Sequence, residues 1–137
     1  MGMVIDGKWI DDDDKYRNPT GGAFVRAESV WRDRVTADGS SGFKAEPGRY
    51  HLFLAPSCPW AHRTQIVRRL KGLEDVISVT LADRPRVRSW AYTQGIDELQ
   101  PGDSGLLELH EVYIAADPNY TGRVTVPTLW DRQKKTI

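Results

Sequence analysis

Three stretches of the chain predict an α/β fold. The first is Tyr50-His51-Leu52-Phe53-Leu54-Ala55, a short run of mostly apolar and aromatic residues entered by Pro47-Gly48 and left by Pro56. The second opens at Pro59 and stops at Gly72. Proline suits the first helical position because its missing N–H would have no partner there, and glycine suits the position just past a helix end. The third is Val76-Ile77-Ser78-Val79-Thr80-Leu81, rich in β-branched residues. A strand, a helix and a strand of these lengths make a βαβ unit with an expected right-handed crossover.

Taken in order, residues 1–49 are polar, rich in Gly and Asp, and weakly periodic. They read as an extended arm that packs onto a body through scattered anchors at Trp9, Phe24, Trp31 and Phe43. The acidic run Asp11-Asp12-Asp13-Asp14 reads as a solvated loop. The body is residues 50–137. Its first strand covers about 50–55 and its first helix about 59–71, with Ile66, Val67 and Leu70 on one face. Basic residues near that helix end suit the dipole. Residues 82–104 show little pattern and read as a loop anchored by Trp90 and Tyr92. Ser104 is placed to cap a second helix through about Ala116, because Leu106, Leu109, Tyr113 and Ala116 fall on one stripe. Asp117-Pro118 ends it. Residues 124–130 are strand-like on both sides of Pro127, which implies an edge, a bulge or a cis turn. Residues 131–135 read as a hairpin turn, with Thr136-Ile137 starting another strand.

The chain has 137 residues and balances 19 basic against 19 acidic side chains, which argues against a general nucleic-acid binder. No run of about 18 apolar residues is present, so no membrane helix is expected. The first residues lack the basic start and apolar core of a secretory signal. The single cysteine cannot form an internal disulfide, and its proximity to a histidine fits a reducing compartment and a nucleophilic role. The C-x-x-x-H spacing of Cys58 and His62 could supply half a metal site, but His51 and His110, the other histidines, show no ligand spacing, which argues against a metal.

Cys58 falls at or just before the start of the first helix. Free backbone N–H groups and the helix dipole both favour negative charge there, and the thiolate is the nucleophile. Arg63 and His62, one turn on, add positive potential. Pro59 sets the helix start. Pro59, Trp60, His62 and Arg63 are the supporting candidates. Ala61 stands where a dithiol site would carry its second cysteine, so an outside thiol has to resolve any mixed disulfide on Cys58.

Cys58-Pro59-Trp60-Ala61-His62-Arg63 after a strand resembles the active site of the glutathionyl-hydroquinone reductases, the Xi-class glutathione transferases. Residues 48–52, 66–74, 116–120 and 123–131 resemble that family as well. The resemblance covers nearly the whole chain but only the N-terminal part of the family's two-domain protein. It implies a thioredoxin-like fold, the glutathione-transferase N-terminal domain. It also implies that the last strand and helix, an acidic-residue–serine motif for the γ-glutamyl group, and an all-helical C-terminal domain all lie beyond residue 137. On this reading residues 50–137 form an incomplete domain.

The resemblance further implies a cis Val126–Pro127 bond, with Pro127 lying against Cys58. It implies glutathione contacts from Trp90, from Arg123 at the glycine carboxylate, and from the Val126 backbone at the cysteinyl amide. Cys58 would be the catalytic residue and glutathione the co-substrate, with no metal. The implied partners are glutathionyl-hydroquinones or related quinone-type molecules, with no nucleic acid or membrane. An open edge strand also invites a second copy of the chain. The expected location is the cytoplasm. Two rival readings remain: a glutaredoxin-like thiol transferase, and a non-catalytic glutathione-binding or interaction module.

Overall fold

The structure is a computed structural model, and it describes residues 2–11, 28–86 and 88–137. Phe24 and residues 12–14 of the acidic run lie outside the described residues. In chain order the elements are β1 (Met3–Ile5), β2 (Lys8–Ile10), β3 (Tyr50–Leu54), α1 (Pro59–Leu70), β4 (Ile77–Leu81), β5 (Ala91–Tyr92), β6 (Leu107–Glu108), α2 (Leu109–Ala116) and β7 (Thr128–Asp131).

The central sheet has the order β4-β3-β7. β3 pairs parallel with β4, Leu52 opposite Val79, and antiparallel with β7, Leu52 opposite Leu129. Every residue of β3 is buried, as expected of a strand paired on both sides. Phe53, fully buried, meets Tyr92 edge-on at 5.3 Å between ring centres. Burying one such side chain stabilises the fold by roughly 1.5–3 kcal/mol.

The helix α1 begins and ends as its sequence requires. Pro59 is its first residue, and Cys58 precedes it in extended conformation with φ −97° and ψ 115°. At the other end Gly72 takes φ +62°, which costs glycine little. The Gly72 N–H then bonds the Arg69 carbonyl at 3.0 Å, and the Leu73 N–H bonds the Arg68 carbonyl at 2.9 Å. That pair of bonds satisfies carbonyls the helix would otherwise leave open. The apolar set Ile66, Val67 and Leu70 does not enter the core. Only Ala61 of α1 is buried, whereas Leu70 is 82% exposed.

Three segments differ from the sequence reading. The arm is not uniformly extended, because β1 and β2 form an antiparallel hairpin turned at Asp6-Gly7, both with positive φ. The hairpin packs onto the body. Val4 is fully buried and exchanges backbone bonds with Gly122 at 3.0 and 2.9 Å. Trp9 lies against the His110 ring at 4.8 Å. The second helix starts at Leu109 rather than after Ser104. Glu108 and Glu111 form a reciprocal capping box, and Leu107–Glu108 is committed to a strand against Ala91–Tyr92. That pairing also gives the 82–104 loop its one strand among the described residues, Ala91–Tyr92. Finally, strand structure after the second helix begins only at Thr128.

One buried ion pair clasps the sheet edge to the arm. Arg49 donates through Nε to both carboxylate oxygens of Asp131, at 3.1 and 3.0 Å, and through Nη1 to Glu46 at 2.9 Å. Asp131 also accepts from the backbone N–H groups of Gln133 and Lys134 at 2.9 and 3.2 Å. Its carboxylate therefore shapes the turn after β7, where the Asp131 N–H reaches the Thr136 carbonyl at 2.8 Å.

Candidate active site

The thiol of Cys58 sits where β3 gives way to α1. The Cys58 N–H bonds the Ala55 carbonyl at 3.1 Å, closing the turn, and the Cys58 carbonyl accepts the His62 N–H at 3.0 Å, starting the helix. The residue is half-buried. Its Sγ donates to the carbonyl oxygen of Val126 at 3.6 Å. The Val126–Pro127 peptide bond is cis, and Val126 is buried. Cys58, Val126 and Pro127, far apart in sequence, are thus brought together.

Two tyrosines that the sequence reading did not single out for the site brace this segment. The Tyr113 hydroxyl donates to the Thr125 carbonyl at 3.0 Å and accepts the Thr125 N–H at 3.3 Å. The Tyr120 hydroxyl donates to the Arg123 carbonyl at 2.7 Å. Tyr113, Tyr120 and Trp31 form a three-ring cluster with centre separations of 4.7 to 5.3 Å. The sequence carried only a partial signal for this. Tyr113 lies on the apolar stripe of α2, but nothing in the pattern says that its hydroxyl meets a backbone twelve residues on.

The other candidates fall around this centre in different ways. Arg123 and Pro127 line a cleft of about 380 Å³ between arm residues 28–35 and the α2–β7 side of the body, with Trp31, Tyr113, Tyr120 and Thr125. Cys58, Val126 and Trp90 are outside that lining. Trp90 is tied to α2 instead: its carbonyl accepts the Leu109 N–H at 2.8 Å, and the Arg86 guanidinium lies 5.1 Å from its ring centre. Trp60 is exposed, with the Arg63 guanidinium over its ring at 4.5 Å. His62 is exposed, and among the described residues no hydrogen bond joins its ring to the thiol.

The other two histidines are buried and bonded to serines, His51 to Ser78 at 2.7 Å and His110 to Ser89 at 2.9 Å. Burial, with the Arg132 charge adding to it, pushes His51 down to about 4, and burial also lowers His110. Among the described residues no cluster of His, Cys, Asp and Glu could hold a metal ion, and no helix is long and apolar enough to cross a membrane.

A thioredoxin-like α/β domain with a helix-start cysteine facing the residue before a cis proline defines a class of thiol proteins. A family model described as the glutathione S-transferase N-terminal domain matches residues 57–137, and the chain belongs to that family. Among its relatives is the glutathionyl-hydroquinone reductase PcpF of Sphingobium chlorophenolicum, 47% identical across all of this chain and 42% of that protein. The glutathionyl-hydroquinone reductase YqjG of Escherichia coli is 45% identical, across all of this chain and 44% of that protein. A Xi-class glutathione transferase structure from Natrialba magadii superposes with a TM-score of 0.76 at 40% identity, covering 100% of this chain and 40% of that one. The glutathione-bound structure of YqjG gives 0.73 at 38% identity, covering 99% and 41%. The chain therefore spans under half the length of these relatives.

Proposed function

We propose that this chain carries the thiol half of a glutathione-dependent reductase of glutathionyl-hydroquinones. The observation that carries the proposal is the pairing of a lone, half-buried Cys58 at a helix start with the backbone of Val126. The names of the full-length relatives supply the substrate class.

In the proposed reaction the Cys58 thiolate attacks the sulfur of a glutathionyl-hydroquinone. A disulfide forms between Cys58 and glutathione, and the bond from sulfur to the ring carbon breaks. Its electron pair leaves with the ring, which takes up a proton and departs as hydroquinone. A second glutathione, as thiolate, attacks the mixed disulfide, releases oxidised glutathione and restores Cys58. The ring is reduced and two glutathiones are oxidised. With no second cysteine in the chain, the external thiol is required at every turnover.

The remaining candidates have assigned parts in this reading. The Val126 backbone holds the cysteinyl amide of glutathione next to Cys58, with Pro127 as the floor. Arg123 pairs with the glycine carboxylate, because a guanidinium matches a carboxylate in charge and shape. Trp90 covers the tripeptide. Pro59 sets the start of α1 so that its open N–H groups face the sulfur. The need for free glutathione suits a reducing, cytoplasmic setting. The test is product balance: hydroquinone and oxidised glutathione should form in equal amounts from a glutathionyl-hydroquinone plus glutathione, and Cys58→Ser should form neither. Unequal products, or turnover by Cys58→Ser, would overturn the proposal.

A further inference from the structure

We infer that the turn of the N-terminal β1–β2 hairpin is a positioning element of the glutathione site, with Thr121 as the residue through which it acts. The turn sets where the Arg123–Val126 segment stands relative to Cys58. This rests on the reductase reading above and deepens it by naming what holds the tripeptide subsite in place.

Residues 123–127 belong to no strand or helix, although they include the three residues that would hold glutathione beside Cys58. A segment without a ladder of its own keeps its place through bonds from elsewhere. At its Val126 end those bonds come from Tyr113, whose hydroxyl meets the Thr125 backbone, and from Thr128, whose hydroxyl donates to the Thr125 carbonyl at 2.7 Å. At its Arg123 end they come from the hairpin, 115 positions earlier in the chain.

The hairpin grips residues 120–122 through a continuous run of contacts. Val4 and Gly122 exchange backbone bonds, and the Gly7 N–H donates to the Tyr120 carbonyl at 3.0 Å. Between them the Thr121 hydroxyl accepts the Asp6 N–H at 2.8 Å and donates to the Asp6 carboxylate at 3.2 Å. A side chain on Gly7 would run into the Pro118 carbonyl, so glycine serves both the positive φ and the close approach. Arg123 follows directly, with its carbonyl held by the Tyr120 hydroxyl. Thr121, Gly122, Arg123 and Pro127 all line one cleft.

The effect of this grip is confined to one half of the site. Loosening residues 120–122 displaces Arg123 directly and Val126 through the short irregular backbone between them. The glycine carboxylate and the cysteinyl amide of glutathione then lose their partners. The thiol keeps its place, because Cys58 is fixed by the turn between β3 and α1 and by the first bond of the helix.

The experiment follows the gain of glutathione by Cys58 from S-glutathionyl-para-hydroquinone across donor concentration, in wild type, Thr121→Val and Thr121→Ser. Alkylation by iodoacetamide, which needs no tripeptide subsite, reports the thiol alone. Thr121 is exposed, so neither substitution disturbs the core. Thr121→Val should raise the half-saturating donor concentration about five-fold, the scale of one lost hydrogen bond, with the maximal rate and the iodoacetamide rate unchanged. Thr121→Ser keeps the hydroxyl and should match wild type. An unchanged half-saturating concentration in Thr121→Val, with or without a loss of stability to urea, overturns the inference and leaves the reductase reading standing. So does a fall in the iodoacetamide rate alongside it, which would place the effect on the thiol. A wild-type chain that never gains glutathione from the donor overturns both.

Discussion

The Sγ of Cys58 lies 3.6 Å from the carbonyl oxygen of Val126, 68 positions further along the chain. This contact joins two backbone features, the open N-terminus of α1 and the turn that leads into β7. On the proposed function, both are needed to hold glutathione against the sulfur. The contact in turn depends on the parts that hold the Val126 segment in place.

Tyr113 is one such part. Its hydroxyl bonds both the N–H and the C=O of Thr125. Tyr113→Phe should cost about 1 kcal/mol in urea unfolding, because it removes the two hydrogen bonds to the Thr125 backbone. On the proposed function it should also raise the KM for glutathione several-fold with a smaller change in kcat. A loss confined to stability would mean that the brace does not reach the site.

Arg123 should show itself through charge. Arg123→Ala is expected to raise the KM for glutathione by about ten-fold or more, the scale of one lost hydrogen bond between charged groups. Arg123→Lys should recover part of the loss, since it restores the charge without the planar fork. A glutathione analogue with its glycine carboxylate amidated should bind wild type and Arg123→Ala alike.

The Arg49–Asp131 pair governs stability in acid. Burial pushes the Asp131 carboxyl up, but the bonds from Arg49 and from the Lys134 and Gln133 N–H groups outweigh it and hold the group below the usual carboxylate range. A depressed carboxyl contributes stability above its unfolded value of about pH 4, and loses it as pH falls through the folded value. The wild type should therefore lose stability below about pH 4. Asp131→Asn should lack that component and be about 3 kcal/mol less stable near neutral pH, because Arg49 stays buried without its main partner. Urea midpoints across pH measure both.

His51 acts in a separate window. Its value of about 4 lies below the unfolded histidine value. The unfolded chain therefore binds a proton that the folded chain does not, from about pH 6.5 downwards. Stability should fall with decreasing pH between about 6.5 and about 4, by up to roughly 1.4 kcal/mol per unit for one proton. His110, also lowered by burial, adds to the same window. His51→Phe should reduce this slope without abolishing it. Its ring can keep the place beside Phe53; the substitution gives up the Nδ1 bond to Ser78, while the Nε2 atom has no hydrogen-bond partner among the described residues.

Much of this arrangement was legible in the sequence. Pro59 and Gly72 marked both ends of α1, and the apolar run from Tyr50 marked the central strand. A lone cysteine just before a helix-opening proline marked where the thiol sits, at the start of α1, since each of those signals acts locally. The second helix was misplaced because the stripe from Leu106 to Ala116 is indifferent to where a helix begins. The Glu108–Glu111 box decided it, and pairing with Ala91–Tyr92 drew Leu107 and Glu108 into a strand. The N-terminal hairpin was missed although Asp6-Gly7 is a turn signal, because three-residue strands leave almost no alternation to read. The braces from Tyr113 and Tyr120 were invisible for another reason: a hydroxyl that bonds a distant backbone leaves no periodic trace.

The most direct measurement is the intact mass of the wild-type chain and of Cys58→Ser after incubation with a glutathionyl-hydroquinone at neutral pH. The wild type should gain one glutathione, lose it again when free glutathione is added, and release hydroquinone in step with the gain. Cys58→Ser should gain nothing. A folded wild-type chain that gains no glutathione, or one whose adduct free glutathione cannot remove, would contradict a catalytic cycle through Cys58.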